Sequence, residues 1–343
     1  MTLPLSALDL VPVVDGGSSV AALRSAGELA RALDRLGFTR LWYAEHHNMR
    51  GLATAHPALM IAHVGGQTSR IRLGAGGVML PNHSPLAVAE SYKLLDAMHP
   101  GRIDLGIGRA PGTDGLTALA LRRSREALGA DDFPEQLAEL LAWGSGSFPD
   151  DHAFRELCAI PDDRALPPLY LLGSSDFGAR LAGQLGVGFA FAGHFSMDPP
   201  ELPLLDYRAR FRPRSTLQHP HAILALPVHC ADTEAAAQRM ASSMLLSFAR
   251  LRTGRPGRLP SPEEAAAHVY TPQEQAIVEA YRRLQIVGTP AQVHARISAI
   301  AARARADEIM IVTHAFDPAA RIRSYQLIAE AFGLPATPTA AAS

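Results

Sequence analysis

Cysteine and lysine are almost absent from this sequence. Its 343 residues include two cysteines, Cys158 and Cys230, which are too few and too far apart to indicate a disulfide scaffold or a thiolate metal cluster. Lys93 is the only lysine, so no other position offers the amine of a Schiff-base enzyme or of a P-loop. The low cysteine content fits a reducing compartment, and we expect a cytoplasmic protein without a bound metal.

Net charge and long apolar runs are lacking as well. The formal charge is -1, and 19% of the residues are charged, which gives no general attraction for nucleic acid or for an anionic membrane. The first residues, Met1 to Pro4, contain no basic group, and no run of about 18 apolar residues follows. We therefore expect a soluble, unsecreted protein in which any anion site is local.

Short apolar runs alternate with longer segments of helical periodicity along the whole chain. About eight such pairs predict a TIM (β/α)8 barrel, and α/β barrels of this length are commonly one domain, so residues 1–343 are expected to form a single domain. The predicted strands are 7–11, 40–43, 72–79, 103–107, 169–172, 188–192, 223–231 and 308–312. Clear helices are predicted over 19–36, 86–98 and 291–304.

Two late segments break the alternation. Residues 252–272 are rich in glycine and proline and predict an insertion between late barrel elements, with a mobile lid as the alternative to a passive excursion. Residues 333–343 are small and contain proline, and we expect a flexible tail there.

A row of polar residues follows the second predicted strand. Glu45, His46, His47 and Asn48 come where that strand ends, and the carboxyl ends of barrel strands carry the active site. Metal ligation is the weaker interpretation, because adjacent side chains on an extended segment diverge and no other ligands cluster nearby. We expect a chemical role for His46 and a hydrogen-bonding role for His47.

The third predicted strand contains three glycines, Gly74, Gly76 and Gly77. Glycine inside a strand indicates a bulge or a close approach by another group. A flat ring lying against the backbone would need such a wall, and tight packing within the protein is the alternative. Both interpretations stay open on the sequence alone.

Two further strand ends are suited to a phosphate group. Gly106 and Gly108 do not complete a Gly-x-Gly-x-x-Gly motif, which argues against a dinucleotide fold and leaves Arg109 as a phosphate ligand. Gly173-Ser174-Ser175 leads from a strand into a helix, where free amides favour an anion. Either serine could equally be an ordinary helix cap.

Taken together, these segments resemble the bacterial luciferase-like monooxygenase family, in its single-subunit branch. The resemblance rests on residues 44–48, 76–83 and 101–114, with the serine-bearing segment around 171–180 in the same order. It implies a flavin-binding TIM barrel in which His46 is the acid/base residue, while Arg109, Gly173, Ser174 and Ser175 hold the FMN phosphate. It also implies a non-prolyl cis peptide at Gly76-Gly77, with Val78 beside it, beneath the flavin.

The resemblance further implies a reaction and its partners. Reduced FMN, delivered as a co-substrate by a separate flavin reductase, and dioxygen would oxygenate a small organic substrate, with Glu45, Asn48, Met79 and His83 on the substrate side. Similar proteins are usually homodimers. Gly108 stands where some luciferases have cysteine, so light emission is not expected.

Three alternatives remain beside this monooxygenase. The first is hydride transfer with a deazaflavin in the same barrel, and the second is a flavin-binding protein without turnover. The third is an unrelated phosphate-binding barrel such as an aldolase or isomerase, which Lys93 disfavours because it lies in a helical segment.

Overall fold

The computed structural model describes residues 3–110, 112–123 and 132–336 of the chain. The described strands β1 to β10 are Leu5–Asp9, Arg40–Tyr43, Arg72–Ala75, Val78–Met79, Ile103–Gly108, Leu169–Gly173, Gly188–Phe191, Ala222–Cys230, Ile286–Gly288 and Glu308–Val312. The described helices, numbered here α1 to α12, are Ser19–Leu36, Pro57–Gly65, Pro85–Met98, Gly115–Arg122, Phe133–Ser145, Asp176–Leu185, Glu201–Arg210, Glu234–Arg252, Pro262–Ala267, Pro272–Leu284, Pro290–Ala304 and Pro318–Phe332. A short 3-10 helix covers Leu80–Asn82.

Within the described residues, eight of these strands form a closed parallel barrel, as the alternation predicts. Their order around the ring is β1, β2, β3, β5, β6, β7, β8 and β10, and the pairing of β10 with both β8 and β1 closes it. Strand β4 continues β3 along β5, while β9 pairs with the end of β8. Because all the barrel strands run in one direction, their carboxyl ends meet at one mouth.

Local signals in the sequence explain where α1 begins and ends. The Ser18 hydroxyl accepts a hydrogen bond from the backbone N–H of Ala21 at 3.2 Å, and Gly37 adopts the left-handed conformation with φ 82°. Serine as an N-cap and glycine after the last turn are the common ends of a helix. The apolar stripe between them packs Leu29 and Leu33 against the sheet.

Two predicted strands differ from the observed ones by more than one residue at an end. The first strand is β1, Leu5–Asp9, because Val11 has φ 53° and the Asp9 carboxylate accepts a hydrogen bond from the Val11 N–H at 2.8 Å, which turns the chain. The predicted strand 72–79 is divided into β3 and β4 by Gly76-Gly77, whose peptide bond is cis, as the resemblance implied.

The apolar core of the barrel itself has two layers. The larger one lies between the sheet and the helices, and a smaller one fills the barrel interior around Trp42 and Met310. A Cβ on Gly74 would lie 2.5 Å from Trp42 Nε1 and 2.8 Å from the Cβ of Asp104. Glycine is therefore required in β3 because the indole of Trp42 occupies the barrel interior.

Charged groups close the end of the barrel opposite the mouth. The guanidinium of Arg40 donates to Asp104 and to Glu308, each at 2.7 Å, and also to the hydroxyl of Tyr170 at 3.2 Å. Arg40, Asp104 and Glu308 are all buried, at 5%, 0% and 1% exposed. This ion cluster and the Trp42 layer above it occupy the interior away from the mouth.

The late insertion, residues 252–272, contains helix α9 and is attached to the segment after β1. The backbone N–H of Leu259 donates to the Val13 carbonyl at 2.9 Å, and the Asp15 N–H donates to the Leu259 carbonyl at 2.8 Å. A lid function for this insertion stays a prediction.

Of the predicted tail, Leu334 packs on the main core, whereas residues 337–343 lie outside the described residues. In the ranges described, no helix combines the length and the apolar character needed to cross a membrane.

Candidate functional site

A cavity of about 350 Å³ opens at the carboxyl ends of the barrel strands. Its wall takes residues from successive strand ends: His46 after β2, Arg109 after β5, Ser174 and Ser175 after β6, and His194 after β7. Aliphatic and aromatic side chains supply most of the remaining surface. The larger ones from the strands and from α5 and α6 include Leu8, Trp42, Ile107, Phe133, Leu171, Leu172, Phe177, Leu181, Phe191 and Met310.

The structure brings most of the predicted site residues to this wall. The predicted residues that line the cavity are His46, Gly76, Met79, Arg109, Gly173, Ser174 and Ser175. The others, which are not among the described wall residues, are Glu45, Asn48, Gly77, Val78 and His83. Sequence position therefore located the strand ends correctly but did not separate wall residues from the residues behind them.

His46 has a defined protonation pattern. Its Nδ1 lies 3.2 Å from the carbonyl oxygen of Gly112, and because a carbonyl only accepts, Nδ1 carries the proton of the neutral ring. Nε2 is then the unprotonated nitrogen. Burial lowers the pKa of His46 below its usual value, against the opposing effects of the Gly112 carbonyl and Glu45. At neutral pH the ring is an uncharged base.

Glu45 lies behind the wall and ties three segments together. Its carboxylate is 1% exposed and accepts hydrogen bonds from His47 Nε2 at 3.1 Å, from His83 Nε2 at 2.9 Å and from the Met79 N–H at 3.1 Å. Burial alone would raise the pKa of Glu45, but the interaction with His83 and the hydrogen bond from the Met79 N–H outweigh it and lower the pKa. Glu45 is thus an anion that positions its neighbours.

These contacts hold Glu45, Asn48 and His83 away from the described cavity wall, so their place on the substrate side stays a prediction. His83 is oriented towards Glu45, and Asn48, with φ 55°, donates from Nδ2 to the Asp114 carboxylate at 3.1 Å. Asparagine is one of the few residues that adopt this left-handed conformation readily. Of the four residues expected on the substrate side, Met79 alone is among the described residues of the wall.

The glycine pair next to the cavity is required by the protein itself. A Cβ on Gly76 would lie 2.8 Å from Leu8 Cδ1, and one on Gly77 would lie 2.9 Å from the Gly106 carbonyl oxygen. Of the two interpretations left open by the sequence, packing within the protein therefore accounts for both residues. Gly76 is nevertheless part of the cavity wall, so its bare backbone is available to a ligand as well.

An anion site is formed where β6 meets α6. Ser175 is the N-cap of α6, and no described donor in the first turn bonds to its side chain, so the amides there are not satisfied by a serine cap. The exposed guanidinium of Arg109 stands over the Phe177 ring at 4.2 Å. Helix amides without a serine cap beside a guanidinium are suited to a phosphate dianion, and an apolar cavity next to them suits an aromatic ring, so these residues fit FMN.

Three histidines near the mouth were missed by sequence reasoning. His194 follows β7 and lines the cavity, His229 lies in β8, and His314 follows β10. Burial lowers the pKa of His194 to about 3 and that of His229 to about 4, and it also lowers the pKa of His314. For His194 and His314 the signal available was the one that identified His46, a histidine shortly after a predicted strand, whereas His229 lies inside the predicted strand 223–231 and carried no such signal.

His229 provides a test of this burial through pH-dependent stability. Its Nε2–H donates to the His314 carbonyl at 3.0 Å and the ring is 1% exposed, so the folded ring stays neutral while the unfolded one takes up a proton below about pH 6.5. Stability contributed by this group is present above that pH and is lost as the pH falls. Between pH 7 and pH 5 the loss should be about 2 kcal/mol.

The comparison is between the wild-type protein and His229→Gln, in which an amide donor replaces the titrating ring. Urea denaturation at pH 7 and pH 5 should show the variant losing about 2 kcal/mol less than the wild type over this interval. Equal losses in both proteins would mean that His229 is protonated in the folded state.

Comparisons with known proteins cover almost the entire chain. The family model described as luciferase-like monooxygenase matches residues 8–308. A luciferase-like monooxygenase of Escherichia coli (strain K12) is 40% identical over 326 residues, which cover 95% of this chain and 96% of that protein. The N-acetyl-S-alkylcysteine monooxygenase of Bacillus subtilis (strain 168) is 31% identical over 335 residues, covering 95% of this chain and 97% of that protein.

A solved structure agrees with the barrel described above. The crystal structure of apo-MsnO8 superposes with a TM-score of 0.88 at 34% sequence identity, and the match covers 98% of this chain and 99% of that chain. The similarity therefore extends over the whole barrel and is not limited to the segments around the cavity.

Proposed function

Because this chain belongs to the luciferase-like monooxygenase family, we propose that it is an FMN-dependent monooxygenase acting on a small organic substrate. Reduced FMN is the co-substrate in this proposal, and a separate flavin reductase supplies it. One observation carries the proposal: a single cavity brings the neutral imidazole of His46 together with Arg109 and the free amino end of α6.

The residues that would hold the cofactor lie on two sides of the cavity. Arg109 and the Ser174-Ser175 turn would bind the phosphate, and the backbone at Gly76 and the apolar wall would bind the ring system. When bound, reduced flavin supplies the two electrons by which dioxygen oxygenates a substrate and yields water. The protein supplies binding, orientation and proton transfer.

His46 is the residue best placed to move a proton. With Nδ1–H held by the Gly112 carbonyl at 3.2 Å, Nε2 can accept a proton and return it without rotation of the ring. The lowered pKa keeps this nitrogen unprotonated at neutral pH, which is the state that a general base requires. The apolar wall excludes water from the reacting groups.

The first experiment measures flavin binding and oxygenation directly. Protein freed of flavin is titrated anaerobically with FMN and reduced FMN, and the reduced complex is then mixed with 18O2 and a set of candidate substrates. Thioethers such as N-acetyl-S-alkylcysteines belong in the set because a relative is named for them, together with aldehydes and ketones. Absence of flavin binding and of 18O in every product would refute the proposal.

The same experiment separates the alternatives. A deazaflavin that displaces FMN and transfers hydride to a substrate without oxygen would identify the hydride-transfer enzyme. If the protein binds flavin but oxidises no substrate, and if replacement of His46 leaves flavin binding unchanged, the protein would be a flavin carrier. The flavin reductase, the homodimer and the cytoplasmic location stay predictions.

Arg109→Ala tests the phosphate site. Removal of one hydrogen-bonded charge from a phosphate should weaken FMN binding about 10- to 100-fold, while riboflavin, which lacks the phosphate, should bind the variant and the wild type equally. Fluorescence titration gives both dissociation constants. The matched control is Arg180→Ala on α6, an exposed arginine whose guanidinium is engaged with Asp206 at 3.1 Å. An equal loss for FMN and riboflavin would place the phosphate elsewhere.

A further inference from the structure

His194 is held firmly at the cavity wall by the turn that follows β7. The backbone N–H of Ser196 donates to the Ala192 carbonyl at 3.2 Å, and a Cβ on Gly193 would lie 2.8 Å from the Ala225 carbonyl oxygen, so the turn is pressed against β8. The Phe195 ring meets the imidazole edge to face at 4.7 Å. The side chain of His194 therefore has little freedom to move.

Burial of one ring nitrogen decides the tautomer of His194. Nδ1 is fully buried and bonds to no donor or acceptor in the part of the chain that the structure describes. A buried N–H without an acceptor is costlier than a buried lone pair without a donor. The proton of the neutral ring is therefore on Nε2. Because His194 lines the cavity and is only partly buried, Nε2 is the nitrogen available to a ligand there.

His194 and His46 present complementary groups to the same cavity. The Nδ1–H of His46 is used by the Gly112 carbonyl, which leaves an unprotonated Nε2, whereas His194 offers Nε2–H. A protonated His46 lies close enough to disfavour charge on His194, and His314, after β10, is the next titratable group beside it. Burial, followed by the effect of His46, lowers the pKa of His194 to about 3, so the ring stays neutral across the working range.

We propose that His194 is a second catalytic residue, whose uncharged Nε2–H donates a hydrogen bond to a carbonyl or oxyanion oxygen of the ligand in the cavity. This inference rests on the proposed function, because the oxygen belongs either to the flavin ring or to the second substrate. A neutral imidazole can stabilise negative charge on an oxygen without giving up its proton. His46 accepts a proton in the same cavity, so the two rings divide the roles of base and donor.

The tautomer can be measured without any cofactor. Protein labelled with 15N-histidine is compared with His194→Gln, and the pair of nitrogen signals missing from the variant belongs to His194. We expect a protonated Nε2 and an unprotonated Nδ1 from pH 8 down to pH 5. A proton on Nδ1, or a titration midpoint above pH 5, would overturn the proposal even if FMN binds as proposed.

Ligand addition identifies the source of the oxygen. FMN alone and cyclohexanone, as a neutral carbonyl probe, are added separately to the labelled protein. A shift of the Nε2 signal with FMN assigns the oxygen to the flavin, and a shift with cyclohexanone only assigns it to the substrate. No shift with either compound contradicts the donor role. A failure of FMN to bind at all would refute the proposed function while the tautomer measurement still stands.

Turnover of two variants provides the second readout. His194→Phe, which keeps the ring volume but has no donor, should lower kcat for 18O incorporation about 100- to 1000-fold, as loss of one oxyanion donor does. His194→Gln retains an N–H and should recover at least about one tenth of the wild-type rate. The acid limb of the pH profile should not move in His194→Gln, because His194 does not titrate there. If only KM changed, His194 would contribute to substrate binding alone and the catalytic role proposed for it would be wrong.

Discussion

Replacement of Arg40 by methionine should lower the free energy of unfolding by about 3 to 5 kcal/mol, because it removes one partner from a buried ion cluster. Asp104 and Glu308 each lie 2.7 Å from the guanidinium and are almost completely buried. Methionine has a similar volume, so the effect would come from the two carboxylates and not from a cavity. Arg72, at 2.6 Å from Asp104, would compensate for only one of them.

The pH dependence distinguishes this electrostatic cause from a packing defect. Burial alone would raise the pKa of Glu308, but the charge and hydrogen bonds of Arg40, with a smaller contribution from His221 at 3.4 Å, outweigh it and lower the pKa to about 2. The stability from Glu308 is therefore present above the unfolded pKa of about 4.3 and is lost as the pH falls towards 2. The difference between the wild type and Arg40→Met should shrink over this interval.

Urea denaturation at several pH values measures both quantities. The matched control is Arg239→Met, which breaks an exposed ion pair with Glu263 on the late insertion and should change stability by less than about 1 kcal/mol. If Arg40→Met were as stable as this control, or if its deficit were independent of pH, the buried cluster would not be what stabilises the closed end of the barrel.

His46→Ala should lower the rate of 18O incorporation about 100- to 10,000-fold, the range typical for loss of a general acid or base. Flavin binding should change by no more than about threefold, because the proposed phosphate contacts lie on other strand ends and the proposed ring contacts are the backbone at Gly76 and apolar side chains. The lowered pKa of His46 also predicts an acid limb in the wild-type pH profile, with its midpoint below 6.5, and the rate should fall as the pH drops through it.

His47→Gln is the control for the neighbouring position. The His47 ring donates to Glu45 at 3.1 Å, and glutamine can supply a similar donor, so most of the activity should remain. If His46→Ala kept the wild-type rate, or if His47→Gln lost as much as His46→Ala, the proton-transfer role assigned to His46 would be wrong.

Much of the site was predictable because its residues directly follow the barrel strands. His46, Arg109 and the Ser174-Ser175 turn each follow an apolar run, and in a parallel barrel all such ends meet at one mouth. The same rule applied to the run ending at Phe191 would have indicated His194. A single histidine beyond a strand has no distinctive spacing, however, and the sequence around His194 therefore did not single it out.

Which residues face the cavity could not be read from the order of the chain. Glu45 and His46 are adjacent, yet the carboxylate lies behind the wall with His83 and the imidazole lies on it. Neighbouring side chains leave an extended backbone in opposite directions, and which direction faces the cavity depends on the barrel's curvature and on the strands that close it.

The alternation of strands and helices, the ends of the strands and the family follow from this sequence alone, because they depend on local periodicity and on short motifs. The protonation states of His46, His194 and Glu308 were decided only by the tertiary structure. Each depends on partners or on burial contributed by segments far away in the chain, and a pKa responds to the distance and solvation of those groups, which exist only once the barrel has closed.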